Sequence, residues 1–318
     1  MTISISKPRT LHDSRNDTLF KISVTAAGIF VLVSLFAVAA MMFKGGWEAF
    51  HTFGFKFLID DNWDPVQKQF GALVPIYGTL VTSLIALIIA VPVSFGIAIF
   101  LTELAPNWLR MPVASAIELL AGIPSIIYGM WGLFILVPFL GEHIFPWLDE
   151  HLGVWPYVGA LFRGPPLGIG MGTAGLVLAI MIIPFIASVM REVFLTVPTQ
   201  LKESAYALGS TTTEVVWNIV FPYTRSAVIG GIFLGLGRAL GETMAVTFVL
   251  GNAHRLTASL LEPGNSIAAT IANEFAEADT PIYMSSLIAL GFLLFVVTFI
   301  VLSIAKLMLR SLNKRQGN

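Results

Sequence analysis

Six long apolar segments set the strongest limit on what this chain can fold into. A helix needs about 20 mostly apolar residues to cross a hydrocarbon core of about 30 Å. The segments run over residues 22–43, 73–101, 111–140, 168–190, 226–250 and 283–304. Charged residues make up only 12% of the chain, whereas soluble domains contain about 25%. We therefore predict an all-α integral membrane protein with six spanning helices.

Two of the segments contain additional signals. The first, 22–43, includes Ala37-Val38-Ala39, which is typical of a signal-peptide cleavage site. Because the run is longer than the ~7–15 apolar residues of a signal peptide, we expect an uncleaved first span. In the third segment, Gly122 and Pro124 predict a break, with Pro124 as the first helical residue of the true span.

The distribution of basic residues predicts the orientation in the membrane. Twelve Lys and Arg residues lie in the two termini and in the loops after the second and fourth spans, against five in the other loops. Basic residues accumulate on the cytoplasmic side. Both termini are therefore expected in the cytoplasm.

Several classes of function are excluded by missing motifs. The chain has no cysteine, which excludes disulfides, iron–sulfur clusters and thiolate zinc sites. It has no Gly-x-x-x-x-Gly-Lys-Ser/Thr loop for ATP and no His-Glu-x-x-His metal pattern. A net charge of −1 gives no indication of a nucleic-acid partner. We expect a non-catalytic protein without a metal or cofactor of its own.

The loop 191–225 carries too many charges to span a membrane, yet it has helical signals. Pro198 can begin a short helix as its first residue, and Gly209 stands where that helix would end in the left-handed conformation. The sequence predicts a short helix between them, on the cytoplasmic face.

A second short helix is predicted directly after the first. Thr211 followed by Glu214 fits a capping box, in which each side chain bonds the backbone N–H of the other. Pro222 is expected to end this helix. The alternative is an amphipathic loop on the membrane surface, anchored by Trp217.

The fifth segment places two charges, Arg238 and Glu242, at mid-membrane. At i,i+4 their side chains would share one face of a continuous helix, about 6 Å apart along its axis. A charge at this depth costs at least ~2.5–3.5 kcal/mol and usually faces a cavity with a functional role. The alternative is an internal ion pair that only fastens helices together. Closely spaced glycines on the same helix (Gly231, Gly235, Gly237, Gly241) would let a neighbouring helix approach closely.

An anion in transit is the function that suits Arg238. The planar guanidinium donates two parallel hydrogen bonds to an oxyanion. Glu242 would hold Arg238 while the path is empty and then accept a hydrogen bond from a protonated cargo oxygen. Phosphate near neutral pH keeps such a proton and sulfate does not, so a carboxylate here disfavours sulfate.

The loop 191–225 resembles the EAA coupling loop of ABC importer permeases. That motif reads Glu-Ala-Ala, three residues, Gly, nine residues, Ile, any residue, Leu-Pro, and the spacing here is the same. Ser204 replaces Ala, and Phe221 replaces Leu. The resemblance implies a six-helix type I ABC importer transmembrane domain whose loop docks into a cytoplasmic ATPase. The implied coupling residues are Glu203, Ser204, Ala205, Gly209, Ile219 and Pro222.

Three longer stretches resemble the permease subunits of phosphate importers. They are 71–80 (GALVPIYGTL), 121–131 (AGIPSIIYGMW) and 235–246 (GLGRALGETMAV). In that family an intramembrane Arg and Glu fall on Arg238 and Glu242. The resemblance implies ATP-driven import of phosphate across a bacterial inner membrane. It also implies a second, similar permease subunit, two copies of an ATPase that binds the ATP, and an extracytoplasmic phosphate-binding protein.

The similarity divides the chain at about residues 71 and 305. We expect a cytoplasmic tail (1–21), a first span with an outside loop (22–70), a permease core (71–305) and a cytoplasmic tail (306–318). The same machine carrying sulfate or molybdate stays open, and so does a signalling role. A secondary transporter or channel gated by Arg238 and Glu242 is the other alternative.

The remaining polar residues give weaker signals. Glu118 is expected at the cytoplasmic interface, and His51, His143, His151 and His254 are expected to be solvated in outside loops, without metal-ligand spacing. In the last outside loop, Ile267, Ile271 and Phe275 form one apolar face of a helix capped by Asn265 or Ser266, with an acidic end (Glu274, Glu277, Asp279). This helix either packs on the membrane domain or helps to receive a soluble binding protein.

Overall fold

The computed structural model describes the backbone of residues 11–314 and the side chains of residues 17–307. The predicted tails fall partly outside these residues, including Lys7, Arg9 and Arg315 of the basic termini. In the described part, the α-helices are α1 (Leu11–Gly45), α2 (Trp47–Phe53), α3 (Lys56–Ile59), α4 (Leu73–Ile99), α5 (Asn107–Ala121), α6 (Ser125–Trp131), α7 (Val137–Phe139), α8 (Phe145–His151), α9 (Met171–Leu195), α10 (Thr199–Ala207), α11 (Thr212–Val215), α12 (Phe221–Leu240), α13 (Met244–Leu250), α14 (Ile267–Glu274) and α15 (Pro281–Lys314).

Six helical stretches are long and apolar enough to cross a membrane, which confirms the predicted number of spans. They are Asp17–Gly45, Leu73–Leu104, Ser125–His151, Met171–Leu195, Thr212–Leu240 and Pro281–Leu307. The first helix already begins at Leu11, within the predicted tail, and the last continues to Lys314. The first span is one helix without a break.

The third span has the predicted break. Helix α5 ends at Ala121, and α6 begins at Ser125. Pro124 is the extended residue before the helix (ψ 135°) rather than its first helical residue. From α6 the chain stays helical to His151 through two π-helical turns, Gly132–Leu136 and Leu140–Ile144.

The prediction that Pro222 ends the second loop helix is wrong. Helix α11 continues into α12 through a π-helical turn, Val216–Val220. In this turn the N–H of Phe221 bonds to the carbonyl of Val216, five residues back. Pro222 then stands in the first turn of α12, where a π-turn immediately before it provides the change of register that a proline needs.

The prediction of a continuous fifth span is also wrong. Helix α12 ends at Leu240, residues 241–243 are not helical, and α13 begins at Met244. The break falls between Arg238 and Glu242. Gly241, which has the lowest helix propensity after proline, follows the last helical residue directly.

Helix α9 lies at the centre of the main core. It packs along α4 and also contacts α5, α12 and α13. A Cβ on Gly235 of α12 would lie 2.6 Å from Ile186 Cδ1 of α9, which is closer than van der Waals contact allows. The predicted close approach at a small residue of the fifth span is therefore present at this position.

A second, smaller core lies at the opposite end of α4 from the loop 191–225. A two-stranded antiparallel hairpin, β1 (Trp63–Asp64) and β2 (Gln69–Phe70), pairs Trp63 with Phe70. Its aromatic side chains pack with Phe57, Tyr283 and Leu287. The hairpin, α2, α3 and α14 thus form a cap on the first turns of α15.

Candidate functional site

Arg238 lies near the end of α12 and is held by an aromatic ring. Its guanidinium carbon is 5.7 Å from the centre of the Phe185 ring on α9, within the range of a cation–π contact. Its Nε is buried and has no hydrogen-bond acceptor among the described residues. No carboxylate among the described residues pairs with this guanidinium, so its charge is not neutralised by the described part of the chain.

Glu242 does not share a helix face with Arg238. It lies in the break between α12 and α13, and its Oε1 accepts a hydrogen bond from the N–H of Ala245 at 3.3 Å. The first N–H groups of a helix have no partner within it, so this carboxylate caps α13. No ion pair between Arg238 and Glu242 occurs in the described residues, and the expected pairing across one helix turn is therefore absent.

One side of α12 is open along its length. Ala227 and Leu234 are exposed and lie seven residues apart, which places them on one face of the helix. Gly241, directly after the helix, is also exposed. Arg238 lies one turn beyond Leu234, at the edge of this open face. The site is thus closed by α9 on one side and uncovered on the other.

The loop 191–225 contains the predicted short helix, α10. Pro198 is the extended residue before it (ψ 130°), and Gly209 has φ +90°, in the left-handed region. The N–H of Ser210 bonds to the carbonyl of Ala205, which closes the helix end. The prediction of a helix ended by left-handed Gly209 is confirmed.

The capping box is confirmed as well. The N–H of Glu214 donates to Thr211 Oγ1 at 3.4 Å, and the N–H of Thr211 donates to Glu214 Oε2 at 2.7 Å. Trp217 is half exposed, and its ring contacts Phe95 and Phe221. These contacts fasten the start of the fifth span to the C-terminal end of α4.

The predicted coupling residues separate into an exposed and a packed set. Glu203, Ser204 and Gly209 are exposed, beside Leu201, Tyr206 and Leu208. Ala205 is buried in the main core, and Ile219 packs against that core. Pro222 is half-buried within the continuous helix. Helix α10 and the residue after it thus expose three apolar side chains, and Ala205 anchors the helix to the core.

Sequence reasoning missed the ion pair that anchors α10. Lys202 Nζ lies 2.5 Å from Glu103 Oε1 in the π-helical turn Phe100–Leu104, which continues α4. The only sequence signal is the opposite charge of two residues on segments that end at the same membrane face. That signal does not identify which of several charges pair.

Glu118 lies near the predicted interface and is largely exposed. Its Oε1 is 3.5 Å from Nη1 of Arg191, which also pairs with Glu192.

His254 is not the solvated loop histidine that was predicted. Its ring stacks on Trp63 at 5.3 Å, and its Nε2 is 2.6 Å from Glu274 Oε1. Glu274 Oε2 also accepts hydrogen bonds from Trp63 Nε1 and from Tyr283 Oη. The hairpin brings these groups together, which spacing along the chain does not reveal. His51, His143 and His151 are exposed, as predicted, but they lie in helical segments rather than in loops.

Glu274 is a buried carboxylate with several donors. Burial alone would raise the pKa of Glu274, but hydrogen bonds from His254, Tyr283 and Trp63 outweigh burial and leave that pKa below its ordinary value. No group of three metal-ligating side chains lies together in the described part of the chain.

Helix α14 packs on the membrane domain, which was one of the two alternatives. Ser266, rather than Asn265, caps it by accepting a hydrogen bond from the N–H of Ala269. Ile267 is fully buried, whereas Phe275 is half exposed. At the predicted acidic end, Glu277 and Asp279 are exposed and Glu274 faces inward.

Comparison with known proteins places these features in context. Residues 94–314 match the family model described as binding-protein-dependent transport system inner membrane component. The chain is 65% identical to the phosphate transport system permease protein PstC of Xylella fastidiosa (strain 9a5c) over 310 residues, covering 98% of this chain and 95% of the relative. It is 60% identical to PstC of Pasteurella multocida (strain Pm70) over 301 residues, covering 95% and 94%.

A solved structure shares the fold at low sequence identity. It is a bacterial alginate ABC transporter in complex with an alginate pentasaccharide-bound periplasmic protein. The match covers 96% of this chain and 99% of that one, with a TM-score of 0.62 and 18% identity. The similarity confirms the predicted six-helix type I ABC importer transmembrane domain.

Proposed function

Because the chain belongs to the family of binding-protein-dependent transport system inner membrane components, we propose that it is the permease subunit of an ATP-driven importer of inorganic phosphate. The relatives at 65% and 60% identity are named as phosphate permeases over nearly their whole length. The observation that carries the proposal is the half-buried guanidinium of Arg238, which has no carboxylate partner in the described residues.

Arg238 is the binding group for the anion in transit. The Phe185 ring holds the guanidinium without consuming its N–H donors, so the charge stays available. A carboxylate partner would neutralise it and compete with the cargo. Arg238 therefore provides a weak, transient site, as conduction through a pathway requires.

Glu242 selects among oxyanions. Its Oε1 is occupied by the N–H of Ala245, and its other oxygen is free to accept a hydrogen bond from a protonated cargo. Phosphate provides that proton near neutral pH, whereas sulfate meets only repulsion. This argument favours phosphate over sulfate or molybdate as the cargo of the same machine.

The importer needs subunits that this chain does not contain. A second, similar permease subunit covers the open face of α12 and completes the pathway. Two copies of a cytoplasmic ATPase bind ATP, and one of them docks on the exposed surface of α10, which includes Glu203 and Ser204 and has Leu201, Tyr206 and Leu208 beside it. An extracytoplasmic phosphate-binding protein delivers the cargo. The chain itself is non-catalytic, crosses the membrane with both termini in the cytoplasm, and needs no cofactor.

A self-contained secondary transporter or channel is the second candidate. It would use Arg238 and Glu242 as a gate held by mutual attraction. The structure disfavours it, because the two side chains are separated by a helix break and Glu242 caps α13. An exposed helix with three solvent-facing apolar residues also has no use in such a protein.

Uptake of labelled phosphate into cells that lack their own phosphate permease tests the proposal. We expect wild-type uptake to resist excess sulfate and Arg238→Gln to reduce it at least tenfold, since one charge-assisted contact is worth about 1.5–3 kcal/mol. Glu242→Gln should admit sulfate as a competitor. Uptake by Arg238→Gln at the wild-type rate would contradict the proposal. So would inhibition of wild-type uptake by sulfate as strong as the inhibition by unlabelled phosphate.

A further inference from the structure

A buried ion pair joins α10 to the second spanning helix. Lys202 Nζ and Glu103 Oε1 are 2.5 Å apart, and their side chains are 15% and 6% exposed. Glu103 belongs to the π-helical turn that directly continues α4. Helix α10 otherwise packs mainly on α11 and on the π-helical turn Val216–Val220. The pair thus connects the loop to a different span from the one it enters.

Stability does not account for this pair. Desolvation of two charges offsets most of their attraction, and apolar residues of similar volume often replace a buried pair without loss. Removal of one partner alone leaves an uncompensated charge and is strongly destabilising. What the pair provides is one defined position of α10 against the end of α4.

The two faces of α10 have different roles. Gln200, Glu203, Ser204 and Ala207, at spacings of one to four residues, are exposed on the outer face. Lys202 and Ala205, three residues apart, are turned toward the protein. A movement imposed on the outer face therefore reaches α4 through Lys202, and α4 packs along α9, whose Phe185 holds Arg238.

We propose that the Lys202–Glu103 pair passes the movement of α10 to α4, which makes Glu103 a positioning residue for transport. The inference rests on the proposed function, because it requires a separate ATPase that acts on α10. Loss of the pair then uncouples ATP hydrolysis from import, while assembly of the complex persists.

The test measures phosphate import and ATP hydrolysis in the same preparation of the complete importer in liposomes. For Glu103→Gln and Lys202→Met, the phosphate imported per ATP should fall at least fivefold. The charge swap Glu103→Lys/Lys202→Glu should return this ratio to within twofold of wild type. The apolar pair Glu103→Leu/Lys202→Met, which keeps the site packed, should assemble but stay uncoupled.

The matched control is Lys56→Met, which removes the exposed ion pair between Lys56 and Asp60 and should leave the ratio unchanged. If a single variant fails to co-purify with the ATPase, the charge swap and the apolar pair test the inference in its place, because neither leaves an unpaired charge.

Three results would overturn the inference and leave the proposed function standing. The first is a wild-type ratio of phosphate imported per ATP in the single variants. The second is a wild-type ratio in the apolar pair. The third is a ratio in the charge swap as low as that in the single variants. A wild-type complex that imports phosphate without hydrolysing ATP would contradict the proposed function instead, and the inference would fall with it.

Discussion

The guanidinium of Arg238 lies over Phe185, and its Nε has no acceptor among the described residues. A cation–π contact orients a charge without neutralising it, whereas an ion pair with Glu242 would orient the charge and also neutralise it. A permanent partner would make a mid-membrane Arg cheaper to bury and less able to bind an anion. The observed arrangement suits a residue that must capture and release cargo.

Replacement of Phe185 tests this orienting role. Phe185→Leu keeps an apolar side chain but removes the ring face, and we expect the KM for phosphate uptake to rise about two- to thirtyfold. Cation–π contacts are worth about 0.5–2 kcal/mol, which sets that range. Phe134→Leu, at an exposed position of the third span, is the matched control. An unchanged KM in Phe185→Leu would show that the ring does not hold Arg238.

Glu274 provides a pH-dependent contribution to stability. Its pKa is lower in the folded chain than its ordinary value, so its contribution is present above the unfolded pKa of about 4.3. It is lost as the pH falls through the folded pKa. We expect the Tm of detergent-solubilised protein to fall below pH 4.5. Glu274→Gln should have a lower Tm than wild type at pH 7, and its Tm should fall less as the pH is lowered. The same acid loss in Glu274→Gln and in wild type would contradict this assignment.

At the scale of the elements, the packing of α12 on α9 depends on a glycine. A Cβ at Gly235 would lie 2.6 Å from Ile186 Cδ1, and Ile186 is fully buried. Overpacking of this kind costs about 1–3 kcal/mol. Gly230 on the same helix has nothing within 4 Å of its Cβ position.

The two positions form a matched pair for mutagenesis. We expect Gly235→Ala to lower the Tm, and Gly230→Ala to leave it unchanged or raise it, since Ala is the better helix former by about 1 kcal/mol. Thermal unfolding of the purified chain in detergent measures both. Equal Tm values for the two variants would contradict the close approach of α12 and α9.

Local signals in the sequence predicted their elements well. Span lengths, the break before Pro124, the left-handed Gly209 and the capping box at Thr211 each depend on a few neighbouring residues. Hydrogen bonds within a single turn determine where such helices begin and end. For the same reason the sequence predicted the short helix of the loop 191–225 but not the side chains that this helix contacts.

The predictions were wrong where the helical register or contacts between distant residues determine the position of a side chain. The π-turn before Pro222 lets the helix continue where the proline was expected to end it. The break after Leu240 changes the helical register, so i,i+4 arithmetic placed Glu242 on the wrong face. The pair of Lys202 with Glu103 and the contact of His254 with Glu274 join residues that only the fold brings together. No periodicity in one segment encodes such partners.

At the scale of the whole molecule, the single chain leaves apolar faces uncovered. None of the span Asp17–Gly45 is buried in its most apolar stretch, and α12 is open along Ala227 and Leu234. Lipid can cover the first, but the second lies beside Arg238, where a pathway must exclude lipid. This open face is the surface that the proposed second permease subunit would cover.

Phosphate accumulation by the reconstituted complex tests the central claim most directly. The complete importer, with ATP on the side of the ATPase and loaded binding protein on the other, should concentrate labelled phosphate against its gradient. Accumulation should stop with a non-hydrolysable ATP analogue and fall at least tenfold in Arg238→Gln. Accumulation that continues without hydrolysis, or that follows sulfate in place of phosphate, would contradict the account.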